Sequence, residues 1–268
     1  MFRFTAQQAG LLAALSFAAS AAFAAGDEAI ATDRPDFVES SNVVGRSRIQ
    51  VETSALLERD GSGSGGARSR VLSMPTLLRI GAGDAFELRV ETDGRGIAHA
   101  RDASGQRSTQ AAWNDTAVGL KWHAADGGGV APSVGVLLHA DLASGSQAVR
   151  GQGVRPSLRV VGEWEFDGGY SLGVMPGVGV ERNEDGRRYR YGILGLVVGK
   201  ELGENLRGFA ELALPKIARV RDGGTEATLD VGVAWLLSDS VQLDTMLARG
   251  LNRRTPDLAW TIGLSFKY

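Results

Sequence analysis

Leu258-Ala259-Trp260-Thr261-Ile262-Gly263-Leu264-Ser265-Phe266-Lys267-Tyr268 alternates without a break. Leu258, Trp260, Ile262, Leu264, Phe266 and Tyr268 share one face, and Ala259, Thr261, Gly263, Ser265 and Lys267 share the other. A period of two sustained this long is a β-strand with one apolar and one small or polar face. A last strand with so large an apolar face suits the wall of a closed barrel. There it pairs with the first strand, and hydrocarbon covers the apolar side.

The pattern repeats upstream. From Arg46 onward, twelve segments separated by turn-rich breaks read as strands: 46–58, 69–80, 85–93, 113–123, 129–141, 154–166, 169–181, 187–200, 205–216, 225–237, 240–250 and 257–268. Lengths of about ten residues match tilted crossings of a bilayer. The breaks alternate between short ones, such as Gly81–Asp84 and Ser238-Asp239, and long ones, such as Thr92–Ala112 and Leu142–Gly153. Short periplasmic turns opposite long outer loops are the habit of outer-membrane barrels. Faces agree: Phe86, Leu88 and Val90 oppose Glu87, Arg89 and Glu91, and Leu158, Val160 and Trp164 oppose Arg159 and Glu163, with Val161 the exception. Aromatics gather near strand ends (Trp113, Trp122, Trp164, Phe166, Tyr170, Tyr189, Tyr191, Trp235, Trp260), as interfacial girdles do. The fold class expected is all-β: a transmembrane antiparallel barrel of about twelve strands spanning residues 46–268.

The totals bound the rest. The chain has 268 residues, 37 glycines, no cysteine and a net charge of −2. That excludes disulfides and thiolate chemistry, and it speaks against a nucleic-acid partner. A mean hydropathy of −0.07 fits a barrel, since only alternate residues meet lipid. Arg3, the apolar run Ala9–Ala19 and Ala22-Phe23-Ala24 read as a cleavable signal peptide over residues 1–25, so the expected location is the outer membrane. Residues 26–45 lack a period and carry Pro35; they read as a periplasmic arm or plug under the barrel.

Two stretches carry resemblances. Thr261, Gly263, Phe266 and Tyr268 resemble the carboxy-terminal signal by which barrel proteins engage the outer-membrane assembly machinery. Thr32-Asp33-Arg34-Pro35-Asp36-Phe37-Val38-Glu39-Ser40-Ser41, followed by Gly45 and the strand Ile49–Glu52, resembles the opening of the MetA-pathway of phenol degradation family. The tail, with Arg249-Gly250-Leu251-Asn252 and Thr255-Pro256-Asp257, is similar to that family's end. The resemblance implies an outer-membrane barrel with a transport role. It leaves the solute unnamed.

Charged residues on the polar strand faces are the candidate pore lining: Glu52, Glu87, Arg89, Glu91, Lys121, His123, His139, Asp141, Arg155, Arg159, Glu163, Arg188, Arg190, Lys200, Arg207, Glu211, Glu226, Asp230 and Asp244. Inside a narrow barrel such charges pair across strands or stay hydrated. Asp33, Arg34, Pro35 and Asp36 form the arm's own motif. One reading is a local turn; the other folds the arm into the periplasmic mouth, with Arg34 against lumen acids.

Catalysis is not implied. His139 and Asp141 share a face near Ser144, yet they alternate with Leu138 and Ala140 and so point into the lumen. Gly195-x-x-x-Gly199-Lys200 falls short of a phosphate-binding loop, and Asp60–Gly66 lacks the repeated acids of a calcium site. No cofactor or metal is called for. The expected partners are outer-membrane lipids, the assembly machinery and a small, hydrophobic or aromatic solute. The expected function is passive passage of that solute, gated by the arm or by the segment Thr92–Ala112; the alternatives are a closed barrel with a structural or surface-binding role and a lipid hydrolase.

Overall fold

The computed structural model describes residues 29–61, 66–183 and 185–268, so the signal-peptide reading lies outside the described residues. Fifteen strands form one antiparallel sheet: β1 (Ile49–Asp60), β2 (Arg68–Ser73), β3 (Thr76–Gly81), β4 (Phe86–Thr92), β5 (Arg95–Arg101), β6 (Arg107–Trp113), β7 (Thr116–Ala125), β8 (Ser133–Leu142), β9 (Arg155–Phe166), β10 (Tyr170–Arg182), β11 (Arg188–Gly203), β12 (Leu206–Ile217), β13 (Glu226–Ser238), β14 (Val241–Gly250) and β15 (Leu258–Lys267). β15 closes the sheet on β1, from Gln50 opposite Lys267 to Arg59 opposite Leu258.

Six of these strands are halves of three long staves. β2 and β3 both pair with β1 and are split at Met74-Pro75, where proline cannot donate to the ladder. β4 and β5 are split at Asp93-Gly94, with Gly94 at φ 63°, and the register against β3 and β2 slips by one residue there. β6 and β7 are split at Asn114-Asp115. The barrel therefore has twelve staves, each matching one expected segment.

Alternation then decides which side chain meets what. Glu52, Glu87, Arg89, Lys121, Val161, Met175, Glu211, Asp230, Asp244, Thr261 and Ser265 are buried inside. Leu88, Val90, Leu158, Val178, Val198, Leu229, Val231 and Ile262 are exposed on the outer wall. Phe86, Trp122, Phe166, Tyr170 and Trp235 also lie outside, at the end with the short turns. An apolar outer band with an aromatic border is what the hydrocarbon layer and its interface select.

One expected loop is not a loop. Thr92–Ala112 continues the wall: β5 pairs with β2, and β6 with β5. β1, β2, β5 and β6 thus rise beyond the barrel rim as a four-stranded extension, and β6 ends it as an edge. Arg107, Ser108, Thr109 and Gln110 are exposed there, and such polar side chains blunt an unpaired edge.

Candidate functional site

The interior is built around the segment that precedes β1. Residues 30–45 run inside the barrel, entering at the short-turn end, where the Ile30 amide donates to Asp239 O at 2.7 Å. This segment belongs to no strand, so its backbone polar groups need partners from elsewhere. The wall supplies them. The Asp33 amide donates to both oxygens of Glu52 (3.2 and 3.0 Å). The Phe37 and Val38 amides donate to Glu211 (2.8 and 2.7 Å). Ser41 N–H reaches Glu163 at 2.6 Å, and Val44 N–H reaches Glu87 at 2.9 Å. In the other direction, Ala31 O and Asn42 O accept from Arg79 (both 2.8 Å), Ser40 O from Lys121 (2.8 Å) and Arg34 O from Gln242 (3.2 Å). A hydrogen bond to a charged partner contributes roughly 1.5–3 kcal/mol, so this set outweighs the ordering of a short segment.

Each charge in the Asp33–Glu39 block has a wall partner. Asp33 meets Arg89 at 2.5 Å, Lys121 at 2.7 Å and Arg79 at 3.6 Å. Arg34 donates to Asp244 (3.1 Å) and Thr261 (3.0 Å). Asp36 receives both Arg207 terminal nitrogens at 2.7 and 3.2 Å. Glu39 bridges Arg89 (2.7 Å) and Arg159 (2.5 Å). Burial by itself would raise the Asp33 carboxyl; Arg79, Lys121 and Arg89 outweigh it and hold the group well below the usual carboxylate range. Burial likewise pushes Glu39 up, and Arg89 and Arg159 pull it below its ordinary value.

Apolar contacts complete the fit. Val38 is buried against Leu137, Val161, Met175, Val197 and Phe209, with Phe37 beside it. Val161, out of pattern in the sequence, is 0% exposed because it meets this arm. Inward glycines let the arm approach: a Cβ on Gly135 would stand 2.9 Å from Ser41 Cα, and one on Gly195 would stand 2.5 Å from Val38 Cγ2. Gly263 faces inward as well, where a Cβ would stand 2.6 Å from the Arg34 guanidinium. Phe266 and Tyr268 point the opposite way, toward the lipid side.

The pore-lining candidates divide into three groups. Glu52, Glu87, Arg89, Lys121, Arg159, Glu163, Arg207, Glu211 and Asp244 all touch the arm. His123 joins them through Ser41 O at 3.0 Å, its other ring nitrogen 2.9 Å from Asp126. Nearer the outer end are Glu91, His139 and Asp141, with His139 Nε2 at 3.7 and 3.9 Å from the two carboxylates. Glu226 sits across from Lys216, Arg155 holds Asp115 at 2.8 Å, and Asp230 accepts from Thr228 at 3.1 Å. The Ser144 hydroxyl accepts from Thr116 N–H at 2.8 Å.

The third group is a correction. On β11 the inward positions are Ile193, Gly195, Val197 and Gly199, so Arg188, Arg190 and Lys200 point outward. Lys200 lies 4.1 Å from the ring of Tyr170 on the outer wall. Tyr189 and Tyr191, expected in the outer girdle, point inward instead: Tyr189 donates to Glu181 at 2.5 Å, and Lys216 reaches the same carboxylate at 2.7 Å. Arg79, Gln50 and Lys216, absent from the expected lining, belong to it; the strand parity around Glu52 and Leu78 was the signal available for the first two. A cavity of about 950 Å³ remains at the short-turn mouth, bordered by Asp36, Ser40, Glu163 and Arg207.

The sequence profile of the family described as "Putative MetA-pathway of phenol degradation" matches residues 32–268. No curated protein sequence matches. Among solved structures, the COG4313 outer membrane channel of Pseudomonas putida F1 superposes with a TM-score of 0.61 at 11% identity, covering 87% of this chain and 99% of that one. The KdgM porin in complex with disordered oligogalacturonate gives 0.52 at 10% identity, covering 82% and 99%. The translocator domain of the autotransporter NalP from Neisseria meningitidis gives 0.51 at 11% identity, covering 98% and 95%. At these identities the likeness is one of fold, and the fold is that of outer-membrane β-barrels.

Proposed function

Since the chain belongs to the family described as the putative MetA-pathway of phenol degradation, and its twelve staves close around a charged interior, we propose that it is an outer-membrane channel for passive passage of small solutes. Hydrophobic and aromatic molecules are among the solutes it would take, and its own amino-terminal arm sets the constriction.

One observation carries this reading. A small barrel that is merely closed fills its interior with side chains from its own wall. Here the wall offers Gly135, Gly195 and Gly263 to the axis, and the filling is a separate stretch of chain. That arrangement makes the obstruction separable from the barrel. The mechanism is diffusion past the arm through a lumen lined by both signs of charge, which gives little preference between anions and cations. Residues 26–45 are the arm, and the carboxy-terminal Gly263, Phe266 and Tyr268 serve the assembly machinery.

The closed-barrel reading rests on the buried ion pairs of Arg79 and Asp33, which fix the arm firmly. Planar-bilayer recording separates the two. Reproducible steps from the full mature chain, enlarged on deletion of residues 26–44, support the channel. Absence of steps in both proteins supports the closed barrel.

A further inference from the structure

The four-stranded extension above the rim presents arginines in cross-strand register on its outward face. Arg59 of β1 lies opposite Arg70 of β2, and Arg68 of β2 lies opposite Arg101 of β5, which in turn lies opposite Arg107 of β6. On the barrel side the first row continues through Leu258 to Arg249 of β14. These are outward positions, because Arg59 follows the parity of Leu57, which pairs with the exposed Trp260.

Like charges placed directly opposite each other on one face of a sheet, with Cβ atoms roughly 4.5–5.5 Å apart, destabilise the pairing unless something neutralises them. The protein does not. Among the described residues no ion pair joins any of these arginines to a carboxylate. Of the nearby acids, Glu58 and Asp60 alternate to the opposite parity of β1, and Asp60 and Asp102 border a hollow with Arg68 and Arg101 without an ion pair to either. An anion from outside the chain, held between these rows, would relieve the repulsion.

Height identifies it. The outward row just below the arginines is Trp260, Leu57, Leu72 and Ile97 in continuous register, and it is apolar. Two residues along a strand is about 7 Å. Arg59 and Arg70 thus stand one outward step above that apolar row, and Arg68, Arg101 and Arg107 two steps above it, on the side of the long connections and opposite the mouth by which the arm enters. Anionic groups at that level of an outer membrane are the phosphates of its outer-leaflet glycolipid. Guanidinium engages phosphate in two-pronged fashion and needs no deprotonation, which suits arginine better than lysine for the task.

We propose that the outward face of β1, β2, β5 and β6 is a docking surface for the phosphorylated headgroup of lipopolysaccharide, which supplies the counter-charge that lets this extension pair. The β10–β11 hairpin repeats the device on a smaller scale, with Arg182 opposite Arg188.

The test uses the full mature chain in detergent micelles with purified bisphosphorylated lipid A as the probe. Binding is followed by native mass spectrometry and by the temperature at which the folded gel band is lost. The expected result is a bound lipid A and an upward shift of that temperature. Both should fall at least tenfold in lipid A potency for R59Q/R70Q/R101Q, and both should be unchanged for Arg46→Gln, whose partner is Asp84 at the other end of the barrel. Should the triple variant fail to fold, Arg70→Gln and Arg101→Gln are each tested alone for a severalfold loss. Equal binding by wild type and variants overturns the proposal. So does equal binding of dephosphorylated lipid A, or displacement of lipid A by a soluble polyanion such as oligogalacturonate at the same charge concentration; that last result would mark the face as a polyanion-recruiting surface.

Discussion

The Asp33 carboxylate and the Lys121 ammonium lie 2.7 Å apart although 88 positions separate them in the chain. Both are buried: the Asp33 side chain is 4% exposed and that of Lys121 is 0%. Arg79 and Arg89 converge on the same carboxylate, so Asp33 is the anion around which the interior cations are arranged.

Removing that anion leaves buried cations short of charge. Losing one partner of a buried pair costs about 3–5 kcal/mol. Asp33→Asn is expected to lower the urea midpoint of the detergent-solubilised protein by a corresponding amount and to raise single-channel conductance as the arm loosens. Asp36→Asn should cost less, since its partner Arg207 is 35% exposed and reaches water.

Acid should weaken the same contact over a defined range. The groups facing Asp33 are Arg79, Arg89 and Lys121, with Glu87 and Glu52 behind them. Because the folded-state pKa of Asp33 lies well below its ordinary 3.8, the stability it contributes is fully present above that value. It is lost as pH falls through the lower one. The stability difference between wild type and Asp33→Asn is therefore expected to stay constant from neutral pH down to about 4 and to shrink only below it. A difference that already shrinks between pH 7 and 5 would contradict this sign.

Steric displacement offers a route that leaves every charge in place. Gly195→Val puts methyl groups where Val38 and Phe37 sit, and Gly135→Val does so against the Ser41 backbone. Both variants are expected to keep heat-modifiable migration, because the outer wall is untouched, while conductance rises toward that of the arm deletion. Normal conductance in both would place the constriction elsewhere.

A chain without cysteine permits a direct reading of strand parity. Tyr191→Cys and Arg190→Cys differ by one position on β11. A bulky water-soluble thiol reagent should reduce current through the Tyr191→Cys channel and leave the Arg190→Cys channel unaffected.

Lipid contact can be checked at one site. Val160 lies midway along β9 and faces outward. An arginine there is expected to destabilise the inserted barrel by about 2–4 kcal/mol, measured by urea titration in lipid vesicles, with a much smaller effect for arginine at Val130 in an exposed turn.

The sequence by itself determined the wall. Within the hydrocarbon band each residue has only two environments, lipid or interior, so a period of two fixes strand, face and closure from Leu258–Tyr268 back to Arg46. Outside that band water touches both faces, and the constraint disappears. That is why the sequence pattern places Arg188, Arg190 and Lys200 on the wrong side, puts Tyr189 and Tyr191 in the girdle, and makes the β5–β6 extension resemble a loop. The arm's course was beyond sequence reasoning for a different reason. Its residues repeat with no period, and the partners that define it, Glu52, Lys121, Glu211 and Asp244, come from separate staves. Only closure of the barrel brings those staves around one axis, and only then do Asp33, Arg34, Asp36 and Glu39 have charges to meet.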